Sequence, residues 1–507
     1  MVWIQIDLMF LYLDKVYQSI SKKNFVKELK VLKIMNKKHS QNIKRFILLI
    51  SIWISFWSIS FWIKFDRFNS GYQFLGVFNL PIGFEFFWCP TFLGIDGISI
   101  FFILLTTLLL PLCLLNIMKE NMKNSHFFCF YFLLLELFLL LTFGALDLVS
   151  FFVYFESVLM PMFFVIGIWG SRDRRIKAAF FFLIYTLFGS IFLFFLLLIL
   201  NSDVGTLNFT VLSMICMSYE KQKILWFCSF IAFSVKIPTI PFHIWLPEAH
   251  VESPSSGSVI LAGILLKLGG YGYIRVTLLL LGEATIYYQP LVHTVGILSI
   301  FYSSFVAMTQ LDLKRIIAYS SISHMNLVII GIFADNINGV NGAILVMIAH
   351  GIVSAGCFFI IGNLYLRLQT RIISYYGGIV SLMPNLSIQL LIFSIANVGF
   401  PGTSNFVGEL VLFSGLIDVN FTVTLFSLFS IVLSIIFTIF LFERIAFGTI
   451  NKELKVVKDL SHMEFFILFP LLILIFLLGF NPDIVLDTTL LSVTKIIEKA
   501  KYVNSFE

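Results

Sequence analysis

The sequence has few charged residues for its length. Only 12% of its 507 residues are charged, whereas 59% are hydrophobic, and the mean hydropathy is +0.97. Soluble domains usually carry about a quarter charged residues. The composition therefore excludes a soluble globule and predicts an all-α protein that crosses a membrane many times.

The sequence also lacks the common signatures of cofactor binding. Its six cysteines occur singly, without a C-x-x-C pair, which suggests neither a zinc site, an iron–sulfur cluster nor a disulfide framework. There is no Walker loop, and LGGYGY at 268–273 lies inside an apolar run rather than after a strand pattern. We therefore expect no cofactor and no metal in this chain, and no nucleic acid among its partners.

Long apolar runs predict thirteen membrane-spanning helices. Residues 1–13 are apolar but short and contain Asp7, so we expect an interfacial helix before a lysine-rich segment that ends at Arg45. A fourteenth helix in this place stays open. The predicted spans cover residues 46–63, 98–118, 127–146, 148–169, 178–200, 224–247, 258–281, 293–309, 316–333, 342–363, 387–416, 422–442 and 464–480.

The charge distribution predicts the orientation. If the spans alternate from an inner N-terminus, most of the 34 Lys and Arg residues fall on the inner side, including those of SRDRRIK at 171–177 and LKR at 313–315. An excess of Lys and Arg in loops on the inner side is typical of membrane proteins. The charges therefore support both the spans and an inner N-terminus.

Two groups of five spans suggest an internal duplication. One group begins near residue 127 and the other near 293, and prolines Pro238 and Pro401 interrupt a span in each. Because five is odd, the copies would have opposite orientations, as in inverted repeats whose discontinuous helices line a polar path. The alternative is two unrelated proline kinks. The predicted regions are 1–45 (basic segment), 46–126 (N-terminal spans), 127–281 and 293–442 (repeats), and 443–507 (loop, last span and tail).

Ionisable residues recur near the centres of the predicted spans. A charge at that depth costs roughly 2.5 to 3.5 kcal/mol on insertion scales, so its repetition indicates a function. Carboxylate, amine and imidazole groups in low dielectric exchange protons readily, which predicts a proton path. The central residues are Glu136, Glu156, Lys236, Lys267, His324 and His350, and Glu409 follows the interruption at 399–405.

Structural interpretations of these residues stay open. Glu156 and Lys236 could form a buried structural pair, and a histidine on an apolar helix is often a hydrogen-bonded core residue. Glu136 could bond a neighbouring helix, and Arg275 could extend toward the outer surface. A cluster at the inner end of the first interrupted helix suggests either helix capping or a proton entrance; it comprises His243, Glu248, His250 and Glu252.

Long motifs carry a family resemblance over about residues 95–480. The segment FSVKIPTIPFHIWLPEAHVESPSSGSVILAGILLKLGGYGYIR at 233–275 resembles the antiporter-like membrane subunits of respiratory complex I. Four further motifs follow the same order, namely ALDLVSFFVYFESVLMPMFFVIGIWG at 145–170, KRIIAYSSISHMNLV at 314–328, MIAHGIVSAGCFF at 347–359 and GFPGTSNFVGEL at 399–410.

The resemblance implies roles for individual residues. Glu156 would modulate Lys236, the central lysine of the first half-channel, and Lys267 and His324 would form the connecting relay. His350 would continue the hydrated path formed by this relay, and Glu409 would end that path nearest the outlet. Glu136 matches a glutamate in many but not all members, and His243 belongs to the candidate entrance. A lysine usually stands at the position of Glu409 in the sister subunits of complex I, chains 2 and 5, and in the related sodium/proton antiporter subunits.

The resemblance further implies a proton-translocating subunit of NADH:ubiquinone reductase, without redox chemistry of its own. NADH, flavin, iron–sulfur clusters and quinone are expected in other subunits. The expected partners are the sister membrane chains 2 and 5 and the lipid bilayer. The composition suggests a mitochondrial inner membrane, with a bacterial plasma membrane as the alternative. A cation/proton antiporter subunit and a non-pumping scaffold remain rival functions.

Overall fold

The computed structural model describes residues 25–78, 91–119, 124–215, 217–449 and 458–503. The interfacial helix expected at residues 1–13 lies outside the described residues, as do Cys89 and Cys216.

The described chain is almost entirely helical, as the hydropathy predicts. Nineteen helices are numbered here in chain order. They are α1 (Phe25–Lys64), α2 (Ser99–Lys119), α3 (Ser125–Gly144), α4 (Leu148–Ser157), α5 (Leu159–Trp169), α6 (Arg175–Val204), α7 (Phe209–Leu212), α8 (Tyr219–Lys236), α9 (Trp245–Glu252), α10 (Ser255–Leu278), α11 (Gly282–Thr309), α12 (Leu313–Ile332), α13 (Ile337–Leu368), α14 (Ile379–Leu382), α15 (Pro384–Val398), α16 (Ser404–Val419), α17 (Phe421–Ala446), α18 (His462–Phe480) and α19 (Asp483–Val503).

The predicted spans are confirmed. Within the described residues, 11 helical stretches are long and apolar enough to cross a membrane. The other two predicted spans, 224–247 and 387–416, are the interrupted ones, and each consists of two shorter helices: α8 with α9, and α15 with α16. The two inverted five-helix repeats stay a prediction.

Helix α1 joins part of the basic segment to the first span. It continues from Phe25 to Lys64 without a break, so the basic residues after Phe25 lie on the same helix as the predicted span 46–63, and the division at residue 45 stays a prediction. No proline or glycine occurs between these residues, and nothing in the sequence therefore interrupts the helix there.

Contacts between helix ends define the two faces of the bundle. On one face, Lys119 at the end of α2, Arg367 at the end of α13 and Glu464 at the start of α18 form an ion cluster. On the other, Gln222 at the start of α8 donates to Glu283 at the start of α11. The ends are grouped as alternating spans require, and the positive-inside rule makes the first face the inner one.

A small sheet lies on the outer face. Strand β1 (Gln73–Phe78) pairs antiparallel with β2 (Thr91–Ile95), and Leu93 of β2 also bridges Ala145 beyond α3. These strands are not among the elements that the sequence predicts. The run QFLGVF is rich in aromatic and β-branched residues, but its signal is short beside the membrane helices.

Three helices form the centre of the bundle. The apolar stretches of α10 and α13 are wholly buried within the protein and that of α12 nearly so, whereas most residues in the apolar stretches of α17, α18 and residues 40–64 of α1 lie at the surface. Lys267 lies on α10, His324 on α12 and His350 on α13. These three ionisable residues are therefore on helices buried within the bundle.

Candidate functional site

The first interruption is caused by two prolines. Helix α8 ends at Lys236, and Ile237 takes an extended conformation (φ −89°, ψ 102°), as a residue before proline tends to do. Pro238 and Pro241 have no N–H to continue the helix. Lys236 therefore stands at the last helical position beside unwound backbone.

Side chains compensate for the hydrogen bonds lost at this break. The indole Nε1 of Trp245 donates to the carbonyl of Val235 over 2.9 Å. Asn326 donates to the carbonyl of Pro238 over 3.3 Å, and the N–H of Ile240 donates to Ser299 over 3.1 Å. Irregular backbone at membrane depth persists only against such partners or internal water.

Glycine forms the second interruption. Helix α15 ends at Val398, and Gly399 follows in the left-handed conformation with φ +81°. Gly402, with φ +92°, continues the turn before α16 begins at Ser404. The carboxylate of Glu409 lies against this turn. A Cβ atom placed on Gly399 would be only 2.9 Å from Oε2 of Glu409.

Glu156 and Lys236 face each other without forming a close ion pair. Their charges interact, but no pair within 4.0 Å joins them in the described part of the chain. The ammonium group of Lys236 instead lies 4.1 Å from the ring centre of Phe155, a cation–π contact. Both carboxylate oxygens of Glu156 are buried, and the hydroxyl of Ser190 is a hydrogen-bond donor near them. Glu156 and Lys236 are therefore close enough for their charges to interact, but they do not form a direct ion pair.

Four of the predicted residues form a continuous series. Lys267 Nζ lies 3.0 Å from His350 Nδ1 and also donates to the carbonyl of Ala262. The rings of His350 and His324 are 5.5 Å apart between centroids. His324 Nδ1 lies 3.4 Å from Oε1 of Glu409. The order is therefore Lys267, His350, His324, Glu409, which places His350 before His324 rather than after it, as the resemblance implied.

His324 and His350 each have one ring nitrogen without a protein partner. Nε2 of His324 and Nε2 of His350 are both buried and have no hydrogen bond to protein among the described residues. A buried nitrogen without a hydrogen bond is costly, so each is a place where internal water would bind. Further buried polar atoms without protein partners, in the same described part, belong to Asn326, Gln389, Ser404 and Asn405.

Glu136 and His243 lie apart from this series. Glu136 is buried on α3, and neither carboxylate oxygen finds a hydrogen-bond donor in the described residues. His243 lies in the turn after the first break, with its ring 5.1 Å from that of Tyr302. Neither residue contacts the four-residue series.

The inner cluster separates into two parts. Glu248 pairs with Arg315 over 2.8 Å where both side chains are about one-third exposed. His250 is fully buried, stacks on Phe358 with ring centroids 4.7 Å apart, and interacts with the charge of Lys267. His250 thus lies at the inner end of α9 within electrostatic range of Lys267, a proximity that its position in the sequence did not reveal.

Glu252 lies deeper than its place at a helix end suggests. Its side chain is buried, and burial raises the pKa of the carboxyl group, whereas the nearby Arg371 and Arg172 lower it. One carboxylate oxygen has no hydrogen-bond partner among the described residues. Glu252 is thus a titratable group at the inner face of the bundle, below His250.

Arg275 reaches the outer face but not solvent. It is buried and forms an ion pair with Asp96, which precedes α2, and its Nε donates to the hydroxyl of Tyr271 over 3.1 Å. Arg275 therefore extends toward the outer side, as one interpretation of the sequence had it, but it ends at a buried carboxylate. Asp96 was missed, because an acidic residue in a loop gives no sign of its partner.

The described residues contain no group of three or more His, Cys, Asp or Glu side chains placed to hold a metal ion. The central series is instead an arrangement of titratable groups separated by hydrogen-bond distances or by room for water.

Sequence comparisons identify relatives over most of the chain. Residues 145–436 match the family described as NADH:quinone oxidoreductase/Mrp antiporter, TM, and residues 34–142 match that described as NADH-ubiquinone oxidoreductase chain 4, amino terminus. The chain is 45% identical to NADH-ubiquinone oxidoreductase chain 4 of Chondrus crispus, over 90% of this chain and 92% of the relative. It is 42% identical to that of Marchantia polymorpha, over 90% and 93%.

Solved structures share the fold. A chain of respiratory complex I from Thermus thermophilus aligns with a TM-score of 0.81 and 26% identity, over 90% of this chain and 94% of that one. A chain of the Mrp complex from a Dietzia species aligns with a TM-score of 0.79 over 92% and 94%. At 15% identity, the second match concerns the fold alone.

Proposed function

The chain belongs to the NADH-ubiquinone oxidoreductase chain 4 family, and from this membership we propose that it is the subunit of respiratory complex I that carries protons along the series found here. The observation that supports this proposal most directly is the contact between four titratable side chains, Lys267, His350, His324 and Glu409, inside a bundle that crosses the membrane.

The series has the chemistry that proton transfer requires. The amine of Lys267 can donate to His350 Nδ1, and water bound at the two Nε2 atoms can pass a proton to His324. Glu409 accepts from His324 Nδ1, and it lies on α16, which runs to the outer face. Protons would enter past His250 and leave beyond Glu409.

Lys236 and Glu156 would control this transfer rather than carry every proton. Gly269, two residues from Lys267, packs against Ile237 and the Cβ atom of Lys236, so the first break lies directly on the helix of Lys267, and we propose that the charge of Lys236 acts on Lys267 across this contact. Closing the pair with Glu156 would stabilise the ammonium form, and opening it would favour release of the proton. Redox chemistry elsewhere in the complex would drive this switch.

The remaining expectations follow from the same membership. The chain would hold no NADH, flavin, iron–sulfur cluster or quinone, and electron transfer would occur in other subunits. Its partners would be the sister membrane chains 2 and 5. Its membrane would be the mitochondrial inner membrane, which the relatives from algae and plants support. Glu136 and His243 are proposed only as accessory groups, because neither contacts the series.

Two rival functions have less support. An antiporter subunit would require an alkali cation and usually carries a lysine where Glu409 lies. A scaffold would tolerate neutral side chains at Glu156 and Lys236, yet these residues keep costly groups buried at membrane depth.

Glu156→Gln and Lys236→Ala in the assembled complex test the proposal. We expect both variants to assemble and to lose most of their proton pumping, because the pair that would control proton transfer can no longer close. NADH oxidation and acidification of the outer compartment are measured on the same vesicles, with and without sodium. Glu220→Gln removes a carboxylate that is exposed at the outer end of α8 and should change neither rate.

The proposal fails if Glu156→Gln and Lys236→Ala pump at the rate of the unmodified complex. Sodium-dependent transport that persists without NADH oxidation would instead favour the antiporter.

A further inference from the structure

The C-terminal end of α9 is held by groups from three other elements. The carbonyl of Ser253 accepts from Lys314 Nζ over 2.7 Å, and that of Val251 accepts from the guanidinium of Arg371. The carbonyl of Glu252 accepts from the N–H of Ser171 over 3.0 Å. These are the carbonyl groups that a helix leaves without intrahelical partners.

The two cations are buried at this end. Lys314 is 2% exposed and Arg371 1% exposed. A positive charge stabilises a helix C-terminus, where the helix dipole concentrates negative charge, and a charged donor makes the stronger hydrogen bond. An eight-residue helix has few internal hydrogen bonds of its own, so these external bonds fix its position.

Lys314 also closes the turn that joins α9 to α10. Its Nζ lies 3.3 Å from Ser258 Oγ, which bonds Ser253 Oγ over 2.7 Å and donates to the carbonyl of His250 over 3.2 Å. The turn between the helix of His250 and the helix of Lys267 is therefore centred on one ammonium group.

Both cations lie on or just after the helices that carry His324 and His350. Lys314 is in the first turn of α12, ten residues or roughly 15 Å before His324. Arg371 follows α13, the helix of His350, and its carbonyl accepts from the N–H of Leu313 over 3.0 Å. A displacement of either helix would therefore move the end of α9.

We infer that Lys314 and Arg371 are positioning residues that hold α9 in place relative to His324 and His350, so that His250 stays aligned with Lys267 during proton uptake. The effect on proton uptake rests on the proposed function, whereas the fixing of α9 by Lys314 and Arg371 rests on the contacts alone. The bonds predict that removing the charge of Lys314 loosens α9 locally, while the arginine variant keeps a donor in place.

Hydrogen exchange of the purified complex measures how firmly α9 is held in place. We expect Lys314→Met to speed exchange of backbone amides in residues 245–253 by roughly tenfold to a hundredfold, the value of a charge-assisted hydrogen bond. Lys314→Arg should restore most of the protection. Lys177→Met, which removes an exposed lysine of the inner face, is the matched control and should leave these amides unchanged.

Proton pumping per NADH oxidised measures the consequence. A purely structural defect lowers the amount of complex and both rates together, whereas misplacement of His250 lowers the ratio of protons pumped to NADH oxidised, and Lys314→Arg should recover it. Ser258→Ala, which removes one partner of Lys314 but no charge, should give a smaller change of the same kind and provides a milder variant if Lys314→Met fails to assemble.

Unchanged exchange in residues 245–253 overturns the inference, and so does faster exchange with an unaltered ratio. Failure of the proposed function looks different. In that case Glu156→Gln and Lys236→Ala pump normally, while the exchange response of α9 to Lys314→Met is still observed.

Discussion

His324 Nδ1 lies 3.4 Å from Oε1 of Glu409, and this contact joins α12 to the helix that follows the second interruption. The two residues are 85 positions apart, so only the packing of α12 against α16 brings them together. The contact places a base and an acid at the outer end of the series, where a proton must leave.

Glu409→Gln tests this contact. The amide cannot take up the proton that His324 gives, so we expect pumping to fall by roughly tenfold or more while the complex still assembles. Proton release in reconstituted vesicles is the measurement. Asp418→Asn on the same helix alters an exposed carboxylate and should leave pumping unchanged.

Gly399→Ala should displace Glu409 without removing it. Alanine at φ +81° is strained by about 1 to 3 kcal/mol, and its Cβ would lie 2.9 Å from Glu409 Oε2. We expect both lower thermal stability and reduced pumping per assembled complex. Gly205→Ala has a similar φ of +74° but an open site, so it should show the strain alone. Equal pumping in the two variants would contradict the role of the contact.

Trp245→Phe should leave the carbonyl of Val235 without its donor at the first break. The expected loss of stability is about 1 to 3 kcal/mol, the cost of an unpaired buried polar group. Thermal unfolding of the complex and pumping are compared with Trp53→Phe, which changes an exposed side chain on α1. A loss no greater than in Trp53→Phe would mean that water replaces the indole.

Arg275→Met should destabilise the outer face by about 3 to 5 kcal/mol, because the carboxylate of Asp96 would stay buried without its positively charged partner. We expect less assembled complex but an ordinary ratio of pumping to NADH oxidation in what assembles. Arg275→Met combined with Asp96→Leu should recover part of the assembly. If the ratio itself falls, the pair has a part in transport.

Much of the fold could be predicted, because its signals are local. Each span is a continuous apolar run, and local breakers interrupt two of them, namely Pro238 and Pro241 in one and Gly399, Pro401 and Gly402 in the other. The strands of residues 73–78 and 91–95 were missed because their pairing depends on a partner across a loop. The unbroken helix from Phe25 was missed because composition changes at residue 45 while helix propensity does not.

The candidate site was predicted as a set of residues but not as an arrangement. Membrane depth singles out Lys267, His324 and His350, since burying such groups in lipid is costly. Their order could not be predicted, because it depends on how α10, α12 and α13 rotate against one another. The burial of Lys314 and Arg371 could not be predicted. In the sequence they resemble ordinary positive residues between spans on the inner side, yet both side chains are buried.

The sequence by itself determined that this protein crosses a membrane, where its spans lie, where two of them break and which titratable residues reach membrane depth. Each of these follows from the transfer free energy or backbone geometry of neighbouring residues. Only the tertiary structure decided that His350 stands between Lys267 and His324, that Lys236 faces Phe155 and that two cations hold α9. Those facts depend on distances between side chains far apart in the chain, which helix packing alone sets.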